Sequence, residues 1–155
     1  MKYDRIYNFS AGPSMLPLPV LEEVHEELFN YRGSGQSVME MSHRSKVFQG
    51  IHDEAKADLR ALMGIPENYK ILFIQGGATL QFSMIPMNLK KNGVFDYVVS
   101  GSWSNNAAKE AARFGKVNVV ANSKDRNYAY VPDVSDLPIS EDAGYLYICE
   151  NETIY

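Results

Sequence analysis

A glycine doublet, Gly76-Gly77, separates a short apolar run at residues 70–74 from a stretch that begins Ala78-Thr79-Leu80-Gln81. The run suits a buried strand, the glycines free the backbone for a tight turn, and the residues after them read as a helix. Ala78 and Thr79 then stand in a first helical turn, where N–H groups lack intrahelical acceptors and the peptide dipoles favour negative charge. Such a turn can seat a phosphate. Neither G-x-G-x-x-G nor G-x-x-x-x-G-K-[ST] occurs near it, so the two named phosphate loops do not account for the doublet. A plain strand-to-helix connection is the alternative reading.

The elements that must hold this turn are marked by period and punctuation. Residues 1–16 have no helical period and carry a Gly12-Pro13 turn signal, which predicts an irregular arm. Pro17 and Pro19 introduce a helix to about residue 30, with Leu21, Val24, Leu28 and Tyr31 on one face. Residues 37–41 read as a short extended piece before a Ser42-His43-Arg44 turn. A second amphipathic helix covers 45–63, striped by Phe48, Ile51, Ala55, Leu59 and Leu62 and stopped by Gly64 and Pro66, with His52 on its polar side. Pro86 should kink or shorten the helix that follows Thr79. Beyond it, strands at 95–100, 116–121 and 145–149 and a helix at 104–114 alternate, with a long polar connection at 122–144. The alternation predicts an α/β fold of βαβ units around a mostly parallel sheet.

Composition narrows the function classes. The 155 residues, 45% hydrophobic and 22% charged, suit a globular protein with a real core. A net charge of -4 and the lack of basic clusters interleaved with aromatics argue against nucleic acid or an anionic membrane as partner. Cys149 stands alone, which excludes an internal disulfide and a cysteine-based zinc site and fits a reducing, cytoplasmic compartment. No metal site is read. No apolar run is long enough to span a membrane, and residues 1–9 lack the apolar core of a secretory signal. The last strand runs toward residue 155 with no covering helix, so the chain is expected to be the front part of a longer protein.

Five stretches carry a family likeness. Asn8-Phe9-Ser10-Ala11-Gly12-Pro13, Ser37-Val38-Met39-Glu40 with Ser42-His43-Arg44, Gly76-Gly77-Ala78-Thr79-Leu80-Gln81-Phe82, Gly101-Ser102-Trp103 and Asn151-Glu152-Thr153-Ile154 occur in that order. In order and approximate spacing, across essentially all 155 residues, the chain resembles the phosphoserine aminotransferases. The resemblance implies a fold-type I enzyme using pyridoxal 5′-phosphate to carry the amino group of L-glutamate to 3-phosphonooxypyruvate. The products are O-phospho-L-serine and 2-oxoglutarate, in serine synthesis and, in many bacterial members, pyridoxine synthesis. It also implies a homodimer, with residues 1–65 as arm and helices and 66–155 as the first part of the cofactor-binding large domain.

Residue by residue, the resemblance assigns Ala78 and Thr79 to the cofactor phosphate, Trp103 to stacking on the pyridine ring and Thr153 to a cofactor hydrogen bond. Some members carry arginine where this chain has Thr79, so the seat here leans on N–H groups and the helix dipole. Arg44 matches a substrate-binding arginine, whose planar fork grips a carboxylate at two points. His43 matches a substrate-phosphate contact, and Ser10 the arm that closes over the substrate. No catalytic residue is assigned, because none of the chain's lysines matches the segment that reacts with the cofactor. In the family that lysine and the acidic partner of the pyridine nitrogen follow the Asn-Glu-Thr-Ile stretch, so these 155 residues are not expected to catalyse transamination alone. A non-catalytic anion-binding or dimerisation module is the alternative. A Rossmann-like dinucleotide binder is disfavoured by the glycine pattern.

Overall fold

The structure is a computed structural model that describes residues 2–10 and 12–153. Met1, Ala11, Ile154 and Tyr155 lie outside the described residues, and with them one position each of the first and last motifs. The chain forms two compact units, Met1–Phe73 and Ile74–Tyr155.

In the first unit the arm is irregular apart from a 3-10 turn at Lys2–Asp4. Helix α1 (Leu18–Glu27) starts on its two prolines as expected but ends three residues short of residue 30. Helix α2 (Lys46–Met63) is capped by the Ser45 hydroxyl, which accepts from Phe48 N–H at 3.2 Å, and is closed by Gly64 in the left-handed conformation. Arg60 then ties down the following loop by donating to the carbonyls of Ile65, Pro66 and Tyr69 at 2.7–3.0 Å.

Three readings in this unit need correction. Residues 37–41 are not extended but hold a 3-10 turn, Val38–Glu40. Ser37 Oγ accepts from Met39 N–H while Glu40 accepts from Ser37 N–H, and this Ser-x-x-Glu capping box outweighs the β-leaning composition. His52 is half-buried, its ring edge-on to Phe73 at 5.2 Å between centroids, because the loop after α2 folds back over it. Of the apolar stripe on α2, Phe48, Ile51 and Leu59 are half-buried, whereas Ala55 and Leu62 are exposed.

The second unit contains the sheet. Helix α3 (Gly77–Leu89), strand β1 (Val94–Val99), helix α4 (Ser102–Ala111), strand β2 (Lys116–Asn122) and strand β3 (Leu146–Tyr147) follow one another. The order is β2-β1-β3 and both pairings are parallel, so β1-α4-β2 is the expected βαβ unit. β1 is the axis of the unit: Phe95, Tyr97 and Val99 are buried on α4 through Ala107, Ala108 and Ala111. Small residues on that helix face let it lie close to the strand. On the same face, from the β3 side, Tyr145 stacks on Phe95 at 4.9 Å, Tyr147 stacks on Tyr97 at 4.7 Å, and the hydroxyls of Tyr97 and Tyr145 share a hydrogen bond of 2.8 Å.

Here too the structure departs from expectation. Residues 70–74 form no strand, and Leu72, Phe73 and Ile74 are exposed; an apolar run becomes a strand only where another strand's backbone meets it. α3 is not cut short at Pro86 but runs on to Leu89, since the lost bond to Phe82 is one of many and the proline ring is buried. β3 is two residues long rather than five. Among the described residues no helix is long and apolar enough to cross a membrane.

Asp96, fully buried on β1, anchors the long connection between β2 and β3. Its carboxylate accepts from Ser140 N–H at 2.6 Å, Ser140 Oγ at 2.9 Å and Asn118 Nδ2 at 3.1 Å. Burial alone would raise its pKa, but the three donors outweigh it and hold the group below the usual carboxylate value. A depressed folded-state pKa means this contribution to stability is present above about pH 4 and is lost as pH falls through the folded value. Asp96→Ala is expected to cost about 2–4 kcal/mol in urea unfolding at pH 7, with Asp96→Asn milder. The gap between wild type and either variant should narrow in acid.

Candidate functional site

Two helix starts in the second unit differ in one decisive respect. At α3 the N-cap is Gly76, with φ of 102°, no capping side chain and no acidic residue in the first turn. A Cβ at this position would run into the Leu80 side chain, so both conformation and space demand glycine. The N–H groups of Gly77, Ala78 and Thr79 have no intrahelical acceptor, and Ala78 and Thr79 are exposed. The positive end of α3 is therefore open to an external anion.

At α4 the positions are already taken. The Glu152 carboxylate accepts from Trp103 N–H at 2.7 Å and from Ser104 N–H at 2.9 Å. The Ser104 hydroxyl, fully buried, accepts from the N–H groups of Ser100 and Gly101 at 2.9 and 3.1 Å. These two caps explain why α4 starts at Ser102, before the expected residue 104. Trp103, 36% exposed, donates its indole N–H to Thr153 Oγ1 at 2.8 Å.

Between these helix starts lies a cleft of about 440 Å³ lined by Ala78, Thr79 and Phe82 of α3, Trp103 of α4, Tyr147 of β3, and Cys149 and Thr153 beyond it. It opens at the carboxyl ends of β1 and β3, where ligands collect in open α/β sheets. Burial pushes the Tyr147 hydroxyl up to about 12 and also raises the Cys149 thiol, so both stay neutral near pH 7. The cleft thus offers an anion seat, an indole and a hydroxyl, with little capacity of its own for proton transfer. A flat ring bearing a phosphoester matches that inventory, and the volume lies in the range of small-molecule sites.

The structure brings Ala78, Thr79, Trp103 and Thr153 around this one cleft. Ser10, His43 and Arg44 belong to the other unit. Ser10 is exposed, with its N–H and hydroxyl bonded to Asn8 Oδ1 at 3.0 and 2.7 Å. His43 and Arg44 are the middle residues of a turn closed by Ser45 N–H on Ser42 O at 2.9 Å, directly ahead of α2. Both are exposed, and the Arg44 guanidinium has no partner among the described residues.

Sequence reasoning missed Asn8, which organises the arm, and Glu152 and Ser104, which cap α4. Ser104, three residues after Gly101, was the available signal, because a serine near a helix start often bonds back to the backbone. Glu152 had no local signal, being 48 positions from one of the groups it caps.

The chain matches the class-V aminotransferase family model over residues 6–155. It is 54% identical over 153 residues to the phosphoserine aminotransferase of Listeria innocua and 51% identical over 152 residues to that of Geobacillus kaustophilus. Each match covers 97% of this chain and 42% of the relative. The solved phosphoserine aminotransferase of Bacillus circulans subsp. alkalophilus superposes with a TM-score of 0.83 at 49% identity, covering 92% of this chain and 40% of that one. The PLP-bound enzyme of Trichomonas vaginalis gives 0.86 at 44% identity, covering 96% and 42%. The chain thus spans about 42% of the length of the curated relatives it matches.

Gly76→Ala is expected to destabilise the protein by about 1–3 kcal/mol, from the positive φ and the Leu80 contact. Gly50→Ala, inside α2 with open space around it, should be neutral or stabilise by about 0.5–1 kcal/mol. Denaturant unfolding of both variants checks the contrast.

Proposed function

Because this chain belongs to the class-V aminotransferase family, we propose that the whole protein is a phosphoserine aminotransferase, moving the amino group of L-glutamate to 3-phosphonooxypyruvate with pyridoxal 5′-phosphate as cofactor. The observation that carries this reading is the pairing, in one cleft, of the uncapped α3 start with the Trp103 wall. Bound pyridoxal phosphate supplies the electron sink that lets an amino acid ionise at its α-carbon. The residues of this chain bind and orient. Ala78 and Thr79 would hold the cofactor phosphate through their N–H groups and the Thr79 hydroxyl, and Trp103 would flank the ring. Thr153 accepts the indole N–H with its oxygen, which leaves its own O–H free to donate to the cofactor.

Arg44 would grip the substrate carboxylate. A guanidinium with no carboxylate partner among the described residues, set in a turn immediately before a capped helix, is suited to bidentate capture. His43 beside it would meet the substrate phosphate, and Ser10 in the Asn8-organised arm would close over the substrate. The reacting lysine and the acidic partner of the pyridine nitrogen are assigned to the part of the enzyme that these residues do not span. A cytoplasmic homodimer in serine synthesis, with pyridoxine synthesis as a second destination, completes the reading.

Cofactor titration and amino transfer from glutamate, measured on the full-length protein, test it. Trp103→Ala is expected to weaken cofactor binding about tenfold or more, by loss of ring contact. Arg44→Ala should raise KM for the keto acid about 100-fold with a smaller change in kcat. A full-length protein that neither binds pyridoxal phosphate nor transfers the amino group would refute the reading.

A further inference from the structure

The geometry points to Glu152 as a positioning residue that sets the indole of Trp103 against the cofactor ring, an inference that rests on the function proposed above. Glu152 is half-buried and commits both carboxylate oxygens to the first turn of α4, Oε2 to Trp103 N–H and Oε1 to Ser104 N–H. The next residue, Thr153, receives the indole N–H of the same tryptophan. Trp103 is therefore held by its main chain and by its ring, and the two holders are consecutive residues arriving from β3.

The surroundings fit this contact closely. A Cβ on Gly101 would lie 2.5–2.7 Å from the Glu152 carboxylate, so the approach depends on glycine there. The N–H groups of Ser100 and Gly101 are taken by Ser104, which leaves those of Trp103 and Ser104 for Glu152. Without the carboxylate these two donors lose their acceptors and the first turn of α4 loosens. The indole would then keep only its bond to Thr153, whose own path is no longer tied to α4. A ring platform needs its supporting contacts to hold position within a fraction of an ångström, and Glu152 supplies the two that hold the main chain beneath the ring.

A double-mutant cycle on the full-length protein tests this, read as the dissociation constant for pyridoxal phosphate and the induced circular dichroism of the bound cofactor. Glu152→Ala should weaken binding roughly tenfold and alter the dichroic band, while Glu152→Gln, which keeps one carbonyl acceptor, recovers part of both. Combined with Trp103→Ala, Glu152→Ala should cause little further loss, because its effect passes through the indole. Additive losses, or wild-type affinity and dichroism in Glu152→Ala, would overturn the positioning role while Trp103→Ala still shows the cofactor site. Wild-type affinity in Trp103→Ala would instead overturn the proposed function and this role with it. Should Glu152→Ala not fold, the same cycle with Glu152→Gln decides, additivity again being the overturning result.

Discussion

The half-buried carboxylate of Glu152, bonded to two main-chain N–H groups of α4, decides which of two neighbouring helix starts remains open. Both starts carry the partial positive charge of aligned peptide dipoles, and an anion would be drawn to either. Glu152 occupies the one at α4 from within the chain, and α3, with glycine at its cap and no acid in its first turn, is left for a ligand. The same contact brings Thr153 to the Trp103 indole. One long-range charge-assisted pairing therefore sorts the cleft into an anion end and an aromatic wall.

That pairing depends on the sheet beneath it. Parallel β1, β2 and β3 place the end of β1 and the end of β3 side by side, so that the start of α4 and the residues beyond Tyr147 meet. Burial of β1 on both faces fixes the sheet, with Phe95, Tyr97 and Val99 covered by the alanines of α4 and the stacked tyrosines on one face and Asp96 and Val98 buried on the other. Asp96 contributes from the middle of the strand by holding Ser140, and with it the long connection that leads into β3. A buried acid is costly unless fully bonded, and here three donors satisfy it.

The chemistry of the cleft follows its electrostatics. Burial raises the titration of its wall groups Tyr147 and Cys149, which keeps both in their uncharged forms near pH 7. Such walls bind and orient a ring without competing for its protons. This division suits an enzyme in which the proton-moving group comes from elsewhere on the protein, and the cleft supplies the seat.

The sequence by itself determined the elements whose signals are local. The glycine doublet, the prolines at the start of α1, the serine cap of α2 and the strand-helix alternation each act within a few residues, and α3, α1, α2 and the βαβ unit formed close to where those signals lie. The motifs also carried the family likeness, because order and spacing are read directly along the chain. What only the tertiary structure decided was pairing across distance. The run at 70–74 is apolar enough for a strand yet forms none, since strand formation requires another backbone alongside. Glu152 reads in sequence as one more acid after a strand, and it becomes a helix cap only because β3 ends beside α4, 48 positions away from Ser104. Hydrogen bonds between residues so far apart leave no periodic or compositional trace, and the fold alone chooses them.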